Sequence, residues 1–159
     1  MNLISNEVII KTNELSALEW VTLREEAGFP TLDIKTAKEA IKHSNILSIH
    51  MNNICIGMLR IIGDNTYSFY INDMIIAPHQ QKKGFGTMLL DKALEFIQVK
   101  VGKESLFSVS LFSNCDTVDF YTKFHFKKST EIPLKLHLLA GKRGSRKDVL
   151  HSLVGYQPS

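Results

Sequence analysis

Apolar and polar positions divide the chain into short strands and amphipathic helices. Val8 to Lys11 reads as a strand. Leu15, Leu18, Trp20, Leu23 and Ala27 recur at roughly helical spacing and predict a helix from Ser16 to Ala27, ended by Gly28-Phe29-Pro30. Asp33 to His43 reads as a second, short helix. Asn45 to Met51 and Ile54 to Ile62 read as strands joined in a hairpin across Asn52-Asn53, and Gly63-Asp64-Asn65 turns the chain into a long strand, Tyr67 to Ala77. A polar loop follows, closing on Gly84-Phe85-Gly86. Leu89, Leu90, Ala93, Leu94, Phe96 and Ile97 then repeat with helical period. Leu106 to Phe112 predicts a strand, the region of Tyr121 a helix, and Ile132 to Leu139 a last strand. The order is an α+β pattern without internal repeats.

The stretch from Asp73 to Ile97 carries the most chemistry. A strand that runs into a glycine-containing loop and then a helix sets the unpaired N–H groups and positive dipole end of that helix beside residues small enough for a phosphate to approach the backbone. Lys82 and Lys83 add positive charge there, so the loop suits a phosphate-bearing ligand. A P-loop is excluded, because Gly86 is followed directly by Thr87 with no lysine between. A dinucleotide fingerprint lacks its third glycine, since Leu89 stands there, and Glu104 precedes the next strand instead of ending it.

Gln81-Lys82-Lys83-Gly84-Phe85-Gly86 resembles the Gln/Arg-x-x-Gly-x-Gly/Ala pyrophosphate loop of the GNAT acetyltransferases. A second segment, Asn114-Cys115-Asp116-Thr117-Val118-Asp119-Phe120-Tyr121-Thr122-Lys123-Phe124-His125-Phe126, resembles that family's Asn-x-x-Ala-x-x-Phe-Tyr-x-Lys-x-Gly-Phe stretch. Thr117 replaces the common Ala, and His125 replaces a Gly that permits a left-handed turn at a helix end, a substitution expected to cost on the order of 1 kcal/mol. The resemblance runs from about Val8 to Lys128. It implies a GNAT-like mixed, mostly antiparallel sheet with helices on both faces and a splayed central strand pair.

It also implies an N-acetyltransferase that takes acetyl-CoA as donor, without a metal, and moves the acetyl group directly to a primary amine in a ternary complex. By resemblance, Met74, Ile75 and Ile76 offer backbone groups to the CoA arm, Ile75 or Ile76 giving the oxyanion donor. Gln81, Lys82, Lys83, Gly84, Phe85, Gly86 and Thr87 form the phosphate loop, Asn114 and Lys123 add contacts, and Tyr121 protonates the departing thiolate. Tyr70 stands where some relatives carry a glutamate base, and tyrosine is no base near neutral pH. Asp73 is the nearest carboxylate and reads equally as a base or as a strand-holding residue. Arg24 and Phe29 are expected on the acceptor side, and a small amine is the expected acceptor. Cys115 at a helix start suggests a rival acyl-enzyme route, but the family transfers directly and no histidine partner is evident. A non-catalytic acyl-CoA-binding or regulatory module is the competing reading.

Composition narrows this picture only a little. The 159 residues are 44% hydrophobic and 22% charged, as in an ordinary soluble domain. No apolar run approaches a membrane span, and two cysteines, Cys55 and Cys115, give no disulfide framework, so a cytoplasmic monomer or homodimer is expected. The net charge of +3 resides in Lys142, Arg143, Arg146 and Lys147 against Asp148, leaving the remaining chain balanced. Nucleic-acid binding is therefore not expected. The domain is read as residues 1–139, with 140–159 a basic tail, either disordered, a docking element, or foreign to the domain.

Overall fold

The computed structural model describes residues 7–134. Strand β1 (Val8–Thr12) leads into α1 (Ala17–Glu26) and α2 (Ile34–Lys42). Then come β2 (Asn45–Met51), β3 (Ile54–Gly63), β4 (Ser68–Ile76), α3 (Phe85–Val101), β5 (Ser108–Leu111) and α4 (Val118–Thr122). The five strands form one sheet in chain order, antiparallel except for the parallel pair β4–β5. This is the expected mixed, mostly antiparallel architecture.

Local chemistry sets most boundaries. Ser16 caps α1: its Oγ accepts from the Glu19 N–H at 3.2 Å, while the Glu19 carboxylate accepts from the Ser16 N–H at 2.9 Å, a reciprocal capping box. Asp33 caps α2 through the Thr36 N–H at 2.9 Å. Asn52 and Asn53 take φ of 51° and 65°, the positive values that a two-residue hairpin turn between right-twisted strands requires.

Helices cover both faces of the sheet. On one, Trp20 and Leu23 of α1 and Ala37 of α2 pack with Ile46, Met58 and Ile75. The alternate strand positions, including Leu47, Ile49, Leu59 and Ile61, are fully buried, as are Leu89, Leu90, Ala93 and Ile97 of α3. Each leucine or isoleucine among them contributes roughly 1.5–3 kcal/mol by leaving water. Leu18, expected on the apolar stripe of α1, is instead 66% exposed. The buried stripe runs Ala17, Trp20 and Val21, and helical spacing carries it on to Arg24.

The chain divides into two compact units, one ending at Asn114 and the other starting at Cys115. In the second, a short 3-10 turn (Cys115–Thr117) precedes α4, and the rings of Phe120 and Tyr121 lie 5.0 Å apart. The helix ends in a Schellman motif: the Phe126 N–H donates to the Tyr121 carbonyl at 3.3 Å and the His125 N–H to the Thr122 carbonyl at 3.0 Å. His125 holds a left-handed φ of 65°, and the Phe126 ring rests 5.9 Å from that of Tyr121. Ile132 to Leu134 form no strand, and the rest of the expected last strand, with the 140–159 tail, lies outside the described residues.

A histidine in the left-handed position is tolerated at a cost that glycine avoids. His125→Gly is expected to be more stable than His125→Ala by about 1 kcal/mol in urea denaturation. Equal stabilities would contradict the left-handed helix end.

Candidate active site

The site grows from an irregularity in β4. Its register with β3 runs Ile61↔Ile71 and Arg60↔Asn72, then skips to Met58↔Ile75 and Gly57↔Ile76. Asp73 and Met74 therefore stand opposite the single residue Leu59, a β-bulge, and Asp73 adopts a φ of 50°. The parallel ladder to β5 starts at Ser68↔Ser108 and ends at Ile71↔Leu111, while β4 continues to Ile76 against β3. The two parallel strands part where the bulge begins.

Beyond the bulge, strand alternation decides which backbone groups face the opening. The Ala77 N–H donates to the Ile56 carbonyl at 2.8 Å, and the Ile75 carbonyl lies 3.1 Å from where a Gly57 Cβ would stand, so Ile75 faces β3. The Ile76 carbonyl accepts from Gln81 Nε2 at 3.1 Å, so Ile76 faces away from β3. Of the two backbone N–H groups expected as donors, only that of Ile76 faces away from β3.

The chain then passes a 3-10 turn (Pro78–Gln80) into the loop Gln81 to Gly84, whose residues are all exposed. Lys82 has φ of 62°, and Gly84, with φ of 88°, precedes α3 without any side-chain cap. The first intrahelical bond runs from the Met88 N–H to the Gly84 carbonyl at 3.1 Å. The N–H groups of Phe85, Gly86 and Thr87 therefore have no acceptor within the helix and point out of its start. No heavy atom lies within 4 Å of an added Gly84 Cβ, so this glycine serves its left-handed backbone and the open space above it. Lys83 Nζ bonds Gln80 Oε1 at 3.0 Å, and Gln81 ties the loop to the end of β4.

On the α1 side of the bulge, the Asp73 carboxylate is 7% exposed and held between two guanidinium groups. Arg24 Nη1 donates to Oδ1, and Arg60 Nε donates to Oδ2 at 3.1 Å. Both oxygens are engaged, so the reading of Asp73 as general base gives way to a structural one: it ties α1 and β3 to the bulge. Arg24 also donates to the Pro30 carbonyl at 3.2 Å and lies over the Phe29 ring at 5.3 Å, bringing together both residues expected on the acceptor side. Tyr70 is near this cluster; burial and then the negative charge of Asp73 push its hydroxyl up, partly offset by Arg60. It stays protonated at neutral pH and is no base.

Asn114 is exposed at the end of the first unit, and Tyr121 and Lys123 belong to the second. Burial raises the pKa of Tyr121, which keeps its proton available for donation near neutrality. Cys115 is exposed. Sequence reasoning missed Arg60, whose guanidinium lies 4.9 Å over the Trp20 ring. The available signal was an arginine inside an apolar strand, matched by Arg24 one turn beyond Trp20 on the buried stripe.

Residues 12–126 match the model of the Acetyltransferase (GNAT) family. An uncharacterized N-acetyltransferase, ycf52, of Porphyra purpurea is 26% identical over 125 residues, spanning 76% of this chain and 70% of that protein. Among solved structures, a probable acetyltransferase from meticillin-resistant Staphylococcus aureus superposes with a TM-score of 0.73 at 22% identity, covering 84% of this chain and 99% of that one. A GNAT family acetyltransferase from Streptococcus pneumoniae gives 0.66 at 21% identity over 81% and 98%.

Removing the charge of Asp73 leaves two largely buried guanidinium groups without their anion. Asp73→Asn is expected to lower stability by about 3 kcal/mol. Glu39→Gln, which breaks the exposed pair with Lys42, is expected to cost far less, because that pair stays in water. Urea denaturation of both variants checks the contrast, and equal costs would contradict the clamp.

Proposed function

The chain belongs to the GNAT family of acetyltransferases, and from that premise we propose that it transfers the acetyl group of acetyl-CoA directly to the primary amine of a small molecule. The observation that carries this reading is the pairing of an uncapped α3 start with the end of a strand that has just parted from its parallel neighbour. Acetyl-CoA supplies an acyl group activated as a thioester, together with phosphates that need positive partners. Phe85, Gly86 and Thr87 offer three converging N–H donors at the positive end of a helix, with Lys82 and Lys83 beside them. The open space at Gly84 suits close approach of a phosphate to the backbone.

The acceptor nitrogen, entering neutral, forms a bond to the thioester carbon. The carbon–sulfur bond breaks, and the sulfur leaves with its electron pair. The Ile76 N–H is the candidate donor to the oxygen that gains charge in this step. By resemblance to the family's Phe-Tyr motif, Tyr121, whose hydroxyl is protonated at neutral pH, is the candidate acid for the departing sulfur. With Asp73 engaged and Tyr70 protonated, the acceptor nitrogen loses its proton to water.

Release of the CoA thiol from acetyl-CoA, measured over a panel of primary amines, tests the reading. Tyr121→Phe is expected to lower kcat by about a hundredfold or more, while acetyl-CoA affinity stays unchanged. Equal kcat in the two proteins would remove Tyr121 from the step. The absence of thiol release above the uncatalysed rate across the panel would contradict acetyl transfer.

A further inference from the structure

The cluster on the α1 side of the bulge is unbalanced. Two guanidinium groups share one carboxylate, so one positive charge remains uncompensated within it. Arg60 carries the useful part. Its side chain is only 13% exposed and is fixed twice, through Nε on Asp73 and through its flat face over Trp20. Among the described residues, nothing accepts a hydrogen bond from its Nη1 or Nη2. A second donor is also left over: Arg24 Nε is buried without any partner, an arrangement that costs free energy until an acceptor is supplied. An arginine whose Nε edge is used and whose Nη pair is open is a preorganised fork for a carboxylate, which takes two parallel N–H bonds.

The neighbouring surface is aromatic. Tyr70 is half-buried, with its ring 5.5 Å from that of Phe112, and Phe112 is 54% exposed. These residues lie where β4 and β5 are about to part, beside the clamp.

We propose that the acceptor is an amine that also bears a carboxylate, and that Arg60 receives this carboxylate through Nη1 and Nη2. The proposal rests on the acetyl-transfer reading and narrows its substrate class. Asp73 then acts as a positioning residue, aiming the fork and keeping Arg60 from closing on a protein acceptor. Loss of the fork removes a charge-assisted pair, an effect of about tenfold or more on kcat/KM.

Matched probes test this in the full chain: phenylalanine against phenylalaninamide for turnover with acetyl-CoA, and benzoate against benzamide for thermal stabilisation. The amide's amine is the weaker base and more deprotonated at neutral pH, so a preference for the acid is not a protonation effect. The wild type is expected to favour phenylalanine about tenfold or more in kcat/KM. Arg60→Gln should erase that preference and Arg60→Lys reduce it, with acetyl-CoA affinity unchanged in both. Benzoate should raise the Tm of the wild type more than benzamide does, and Arg60→Gln should remove the difference. The benzoate arm needs no acetyl-CoA, so a retained benzoate response without turnover counts against acetyl transfer alone. Turnover with equal kcat/KM for acid and amide overturns the carboxylate proposal alone. If Arg60→Gln does not fold, the wild-type comparisons decide, and equal responses to acid and amide overturn it.

Discussion

Asp73 combines two features that are each unfavourable by themselves. Its backbone holds a left-handed φ within a strand, and its carboxylate is taken almost entirely out of water. The Arg24 and Arg60 guanidinium groups compensate the second, and the bulge is the structural outcome of the first. A buried carboxylate bound on both oxygens is hard to move, so the bulge is pinned to α1 on one side and to β3 on the other. The rest of the site inherits its geometry from that pin. Beyond it β4 stays with β3 and leaves β5, and the backbone of Ile76 turns to the opening.

Topology places the Gln81 to Gly84 loop at the same end. Of the four strand pairs among the described residues only β4–β5 is parallel, and its crossover is α3. A crossover helix necessarily begins near the carboxyl end of its first strand, where open α/β sheets bind ligands. One face of the parting therefore meets helix N–H groups and lysines, suited to phosphates. The other carries Tyr70 and the Arg60 fork, suited to a small anion-bearing molecule. The two groups of residues share β4 but lie at opposite ends of the irregular stretch.

Much of this was legible in the sequence because its causes are local. The Asn52-Asn53 hairpin, the helix starts near Ser16 and Asp33, the loop closing on Gly84-Phe85-Gly86 and the left-handed position of His125 each follow from chemistry within a few residues. Asp73 was readable only as the nearest carboxylate, equally a base or a strand-holding residue. Its role depends on a skipped register, which a single strand cannot announce, and on arginines from two other elements. Leu18 misled for a related reason: hydrophobicity placed it on the buried stripe that Val21 fills, and that stripe carries on to Arg24, whose charge argued for solvent. The last strand was inferred from apolar content at Ile132 to Leu139, yet Ile132 to Leu134 lie 83% and 92% exposed at their ends and form no strand.

Backbone amide exchange with and without saturating acetyl-CoA tests the central claim most directly. If the α3 start and the end of β4 hold the donor, the amides of Ile76, Phe85, Gly86 and Thr87 should slow by about tenfold or more, while the amide of Asn53 in the exposed hairpin turn keeps its rate. Unchanged exchange at those four amides in a folded sample would contradict the account, as would protection confined to another part of the chain.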